Sequence, residues 1–196
     1  MKLKDITHKI YSGQIITRVE AKAEIGDRVV EERKVLVPKA ILEGRIIHSD
    51  LGLVKLKRKA DENRVTKEGD IILKLSTPHD AVYIQKEDEG LMVPSFCTII
   101  RGVDTSKADP RFITAYLNTQ YTRELLRSRV AGSRVSMINL RDVKELEIPD
   151  VPLEKQKLIG EAYTLSRQKQ ETLYKLLENE KLIMNTMVLN FVKEAQ

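Results

Sequence analysis

The sequence predicts an α+β protein: a small mixed domain over residues 1–150, followed by one long helix over residues 151–196. Three observations carry this expectation. Up to Pro149, apolar residues come mostly in short runs broken by glycine and proline; between 109 and 130 they take helical spacing. From Leu153 onward there is no further proline, and no glycine after Gly160. At 1.5 Å per residue, the last ~40 residues make a rod of roughly 60 Å, too long for a domain of this size to cover.

Composition sets the frame. The chain has 196 residues, 41% of them hydrophobic, enough for one compact domain plus an appendage. Aromatics are 5% and tryptophan is absent, so Ile, Leu and Val must make the core. Charged residues reach 32% with the signs mixed, as in a soluble folded chain and unlike a disordered tail. Runs such as IILKL and CTII are far too short to cross a bilayer, and MKLKDITHKI lacks the apolar stretch of a signal peptide, so a cytoplasmic location is expected. A single cysteine, Cys97, excludes an internal disulfide, and three scattered histidines lack metal-ligand spacing. No metal or cofactor is expected. Net charge is +5; from Pro152 onward seven Lys/Arg face six Asp/Glu, which leaves +4 in the preceding part. That modest excess suits an acidic partner such as nucleic acid.

Along the chain, LKDITHKIYSG reads as a short helix or turn closed by Gly13, and the stretch to Lys59 as short strands with a helix at 27–34. In VTKEGDIILKLSTPHDAVYIQKEDEGLMVPSFCTIIRG, three strands (IILKL, AVYI, FCTIIRG) alternate with turns at KEGD and EDEG and a polar loop STPHD. Asp109 and Pro110 suit a helix cap and first turn, and Ile113, Tyr116, Leu117, Tyr121, Leu125 and Leu126 fall on one side of a single helix to Val130. A glycine-serine break, a helical turn at 139–142 and a strand LEI close the domain.

In the terminal helix, Leu158, Ala162, Leu165, Thr172, Leu176, Ile183 and Met187 stand three, four or seven residues apart, with Lys169 and Glu180 interrupting the stripe. A helix with one apolar stripe is unstable until something buries it. The partner is a second copy, a different subunit, or the helix's own domain if it folds back.

The ordered series VTKEGDIILKL, VPSFCTIIRG, DPRFITAYLNT, AGSRVSMINLRDVKELEIP and PLEKQKLI resembles one recognition unit of the DNA specificity subunit of type I restriction-modification systems. In that family a Pro-Leu-Glu-x-Gln signature opens a long conserved helix; here Pro152, Leu153, Glu154 and Gln156 match, after Ile148 and Pro149. The departures are Val151 in place of one of a usual proline pair, Lys155 where an acid is common, and length: full-size members carry two recognition domains and two conserved helices. The resemblance implies a target recognition domain followed by a helix that forms an antiparallel coiled coil. It further implies a homodimer joined through Leu158, Leu165, Leu173, Leu176, Ile183 and Met187, reading an interrupted palindrome in double-stranded DNA. The implied partners are a modification methyltransferase subunit and a restriction subunit, which would carry all catalysis.

For DNA contact, the stretch from Arg123 to Arg141 holds five arginines and one acid. Around GSRVS, Arg129, Ser133, Arg134 and Ser136 suit phosphate grip or guanine readout, whereas Arg123 and Arg127 read better as a solvated helix face. The loop KLSTPHD offers Lys74, Ser76, Thr77 and His79, and Lys55, Lys57, Arg58 and Lys59 form either a phosphate patch or a solvated strand edge. No phosphate loop, nucleophile elbow or methyltransferase signature is visible, so the chain is expected not to be an enzyme. The competing reading is an adaptor or decoy that keeps the helix but reads no DNA sequence.

Overall fold

The computed structural model describes residues 1–130 and 137–194. In chain order the strands are β1 (Thr7–Ser12), β2 (Glu31–Val35), β3 (Ile41–Leu42), β4 (Arg45–Ile46), β5 (Gly52–Leu56), β6 (Ile71–Lys74), β7 (Ala81–Tyr83) and β8 (Cys97–Val103). The α-helices are α1 (Pro110–Leu117), α2 (Gln120–Ser128), α3 (Leu140–Lys144) and α4 (Leu153–Glu194).

The central sheet is antiparallel in the order β1-β8-β6-β7. Its middle strands carry consecutive apolar residues, Ile71, Ile72 and Leu73 in β6 and Ile99 and Ile100 in β8, because both faces are covered there. On one side Ile71, Leu73 and Ile100 pack with Phe112, Ile113, Leu117, Leu126 and Val143 of the short helices. On the other, Ile72, Val82 and Ile99 meet Leu36, Ile41 and Ile46 of the β2–β4 region. A third, smaller cluster joins Val19, Val35, Leu56 and Met92 under the β2-β5 ribbon.

The mixed α/β class and the long terminal helix are as the sequence predicts, and so are the strands at IILK, AVY and CTIIRGV. Four local expectations are corrected. Residues 27–34 form no helix; Glu31–Val35 is a strand paired with β5, and cross-strand pairing overrides the helical charge pattern of EERK. The opening is a single 3-10 turn and then β1, held as a sheet edge by β8. LEI is only a bridge, Lys2 to Glu147, flanked by Leu3 N–H to Leu146 O and Ile148 N–H to Met1 O.

The single helix expected over 109–130 is two. Asn118 ends α1, and its side chain donates to the Ala81 carbonyl and accepts from the Ala81 N–H, so it serves β7. Thr119 then caps α2 by accepting from the Thr122 N–H. Tyr121 consequently leaves the apolar side and is 66% exposed. The Asp109 cap is as read from the sequence: its carboxylate accepts from Arg111 and Phe112 N–H groups, with Pro110 in the first turn.

The first half of α4 lies on its own domain, chiefly on α1. Pro152 supplies the first helical acceptor, taking bonds from Lys155 and Gln156 N–H. Gln156 and Gly160 are buried, and past Glu171 every described side chain is exposed. So the fold-back alternative holds for the start of the rod and not for its remainder.

Candidate nucleic-acid interface

The loop after β6 is built on a buried charge cluster. Asp80, fully buried, takes Lys74 Nζ at 3.1 Å on one oxygen and Arg123 Nη2 at 2.6 Å on the other. Lys74 also donates to the Ile41 carbonyl at 3.2 Å, and Arg123 to Asn118 Oδ1 at 3.0 Å. Burying such charges is tolerable only with this degree of pairing. His79 is buried at φ 59°, its Nδ1 3.4 Å from the Lys74 carbonyl oxygen, and its pKa is held below the ordinary value mainly by desolvation, with Arg127 adding to the effect.

These positions correct the sequence reading of three residues. Lys74 and His79 point inward and hold the loop, so they do not present to a ligand. Arg123 is no solvated helix residue, because its guanidinium closes the Asp80 cluster. Ser76 and Thr77 do reach the surface, and Arg127, exposed, is near enough for its charge to act on His79.

The loop after β6 pairs with the residues that follow the second stretch singled out from sequence. Ser76 bridges Met137, and the Ile138 N–H donates to Leu75 O at 2.9 Å. Ser133, Arg134 and Ser136 lie outside the described residues, in the stretch that rejoins the chain at Met137. Arg129 donates to the Asp142 carbonyl at 2.9 Å, tying the end of α2 to α3, and keeps only part of its surface. The Lys55–Lys59 stretch divides: Lys55 and Lys57 pair with Glu32 and Asp27, while Arg58 and Lys59 are exposed.

A basic groove of about 660 Å³ along β1 escaped the sequence reading. Lys4, Lys9, Lys67, Lys144 and Arg101 line it together with Tyr11. Arg101 is committed to Asp70 through two bonds of 2.8 and 2.6 Å, and Lys4 to Glu145, whose carboxyl Lys2 and Lys4 together hold down at about 2. Lys9, Lys67 and Lys144 make no ion pair with a described residue and supply its free positive charge. They come from three distant segments, so no local charge run announces them.

The rod has two faces. Gln156, Gly160, Tyr163 and Arg167 meet the domain: Gly160 leaves no room for a Cβ, which would approach Phe112 N to 2.8 Å, and Tyr163 fills the space above Gly44. Arg167 donates to the Glu43 carbonyl at 2.9 Å, and Arg45 stacks 4.4 Å over the Tyr174 ring. Leu158 and Leu165 stand two residues from these contacts, ~200° round the helix, on the far side. The six residues expected to join subunits are all exposed: Leu158 68%, Leu165 58%, Leu173 54%, Leu176 60%, Ile183 56% and Met187 49%. Among the described residues no helix is long and apolar enough to cross a membrane.

A small α/β domain seated on a projecting helix with an exposed apolar stripe defines a domain-and-rod class of protein. Comparison makes the class particular: the chain has the fold of one half of a type I restriction-modification specificity subunit. The HsdS subunit from Thermoanaerobacter tengcongensis superposes with TM-score 0.61 at 19% identity, over 88% of this chain and 43% of that one. A structure concerned with complex assembly and conformational transition of a type I R-M system gives 0.62 at 18%, over 92% and 45%. The type I S subunit from M. genitalium gives 0.58 at 17%, over 95% and 43%. The chain thus spans less than half the length of the structures it matches. No protein-family model and no curated protein sequence matches it.

Proposed function

We propose that the chain is a half-length DNA specificity subunit. It dimerises through α4, reads a bipartite interrupted palindrome in double-stranded DNA with two copies of the domain, residues 1–150, and recruits a modification methyltransferase subunit, with or without a restriction subunit. Catalysis then belongs to those partners, and the chain needs no cofactor of its own.

The observation that carries this reading is the division of labour on α4. One face fixes the domain to the rod, and the opposite face offers a stripe of leucines and methionines that no described residue covers. A two-fold pair of such rods carries two identical readers at fixed separation. The surface offered to DNA combines Ser76, Thr77, Arg127 and Arg129, the sequence adds Ser133, Arg134 and Ser136 from outside the described residues, and the β1 groove adds Lys9, Lys67 and Lys144 for phosphate.

Selection of bound duplexes from a random pool, with the mass of the purified chain recorded in solution, tests the proposal. An inverted repeat with an unread centre, a doubled mass, and affinity falling steeply with salt are expected. A dimer that enriches no sequence turns the reading into the adaptor or decoy; a monomer indifferent to sequence ends it.

A further inference from the structure

The exposed line on α4 has an internal order beyond simple amphipathicity. Leu158, Lys169, Glu180 and Phe191 recur every eleven residues, as do Ala162, Leu173 and Met184, and Leu165, Leu176 and Met187. An 11-residue repeat is ~3.67 residues per turn, so the line runs almost parallel to the axis of an unbent helix. It begins at Leu158 and ends at Phe191, both among the most exposed large apolar side chains of the chain, at 68% and 67%.

The two charges inside this line also stand apart from the ion pairs of their own helix. Three lysines of α4 pair along their own helix, Lys157 with Glu154, Lys175 with Glu171 and Lys181 with Glu178. Lys169 and Glu180 make no ion pair with any described residue of their own chain, and both sit where a partner helix would cover them.

We propose that two copies pair antiparallel in one register, which sets Lys169 of each against Glu180 of the other. This rests on the reading of α4 as a homodimer helix and fixes how it is used. In this register the two-fold axis crosses between residues 174 and 175, and every other facing pair within the eleven-residue line is apolar. Leu158 meets Phe191, Ala162 meets Met187, Leu165 meets Met184, and Leu173 meets Leu176. The line is therefore its own complement when reversed.

The alternatives all misplace charge. A slip of four residues sets Glu180 against Leu165 or Leu173, and Lys169 against Leu176 or Met184. Parallel pairing in register stacks Lys169 on Lys169 and Glu180 on Glu180. Polar residues inside an otherwise apolar seam choose register and orientation at some expense in stability, and a matched pair keeps the choice while removing the unpaired charge. The same asymmetry disfavours helices from other subunits that lack an acid and a base at this spacing.

Cysteine pairs and charge exchange in the full chain test the register. Leu158→Cys with Phe191→Cys should form an intermolecular disulfide on mild oxidation, and Leu158→Cys with Met187→Cys should not. Closure within one helix is excluded, because the two sites are ~50 Å apart along it. Cys97 is buried with its thiol pushed up to about 12, so it stays silent. Lys169→Glu or Glu180→Lys alone should weaken the dimer on the order of tenfold or more, and the double exchange should restore it. A stable dimer that cross-links through the second pair, or ignores both exchanges, overturns the register and leaves the half-length reading standing. A chain that stays monomeric overturns both.

Discussion

Gln156 fastens the start of the rod to the start of α1: its Oε1 accepts from the Asp109 N–H at 3.1 Å while its Nε2 donates to the Val151 carbonyl at 2.7 Å. The side chain is 1% exposed, so neither backbone group has water as a substitute. The glutamine of the Pro-Leu-Glu-x-Gln signature is thus a structural clamp, fixing the angle at which the domain sits on the long helix. Gln156→Leu keeps the volume and strands both groups, which should cost about 1–3 kcal/mol of unfolding free energy. Urea unfolding at constant m-value measures it, and an unchanged midpoint would sink the assignment.

Gly160→Ala is a second test of the same joint. In a free helix alanine gains about 1 kcal/mol over glycine. Here the added Cβ would stand 2.9 Å from Asp109 Oδ1 and 2.8 Å from the Phe112 nitrogen, backbone that α1 holds in place. Overpacking of this kind costs typically ~1–3 kcal/mol, so the net effect should be destabilising or near neutral and never a full propensity gain. Thermal unfolding distinguishes the two, and a stabilised variant would show that the rod is not seated as described.

Much of the architecture was legible because burial leaves a pattern. Ile71, Ile72 and Leu73 are apolar in succession because sheet and helices cover both faces of β6, and the α4 stripe is visible because nothing interrupts its period except Lys169 and Glu180. What failed were elements decided by distant partners. Glu31–Val35 is charged enough for a surface helix and becomes a strand only through β5. Asn118 splits α1 from α2 by bonding Ala81, 37 residues away, which no local rule reveals. For the site, Lys74 and His79 carry the right chemistry in a loop, yet Asp80 and the interior claim them. The β1 groove was invisible because its free lysines converge only on folding.

Asp80 separates structural from functional roles in the loop. Asp80→Ala leaves two cations, one of them the 6% exposed Lys74, without their counter-charge. Breaking a buried pair from one side costs about 3–5 kcal/mol, whereas replacing Lys74 by Met removes the charge together with its need for a partner and should cost clearly less. If Lys74→Met keeps full sequence-specific DNA binding in the dimer, Lys74 is a support. Loss of binding without loss of stability would return it to the reading surface.

His79 gives the loop a pH dependence with a definite sign. Its folded pKa lies below 6.5, since burial and Arg127 disfavour the imidazolium more than Asp80 and the nearby carbonyls favour it. The unfolded chain therefore binds the proton first. The stability is fully present above the unfolded value of 6.5 and is lost as pH falls from there through the folded value. Unfolding free energies of the wild-type chain and of His79→Phe between pH 7.5 and ~5 should diverge only below ~6.5, with the wild type falling faster. Parallel curves would mean that the histidine is not buried as found.

In the proposed antiparallel dimer, the rod makes the spacing of the two domains a matter of residue count. The domain contacts on α4 centre between Gly160 and Arg167. With the two-fold axis between 174 and 175, two domains stand ~33 Å apart along the rod, close to the ~34–36 Å of one B-DNA turn. Inserting two eleven-residue repeats after Tyr174 preserves the seam and adds another ~33 Å, again nearly one turn. Binding should survive with half-sites about ten base pairs further apart. Inserting one repeat adds only ~17 Å, which places the second half-site on the opposite side of the duplex, and affinity for any spacing should drop sharply. Selection from pools with graded spacers reads this directly, and a preferred spacing that ignores the length of α4 would show that the helix does not set the distance.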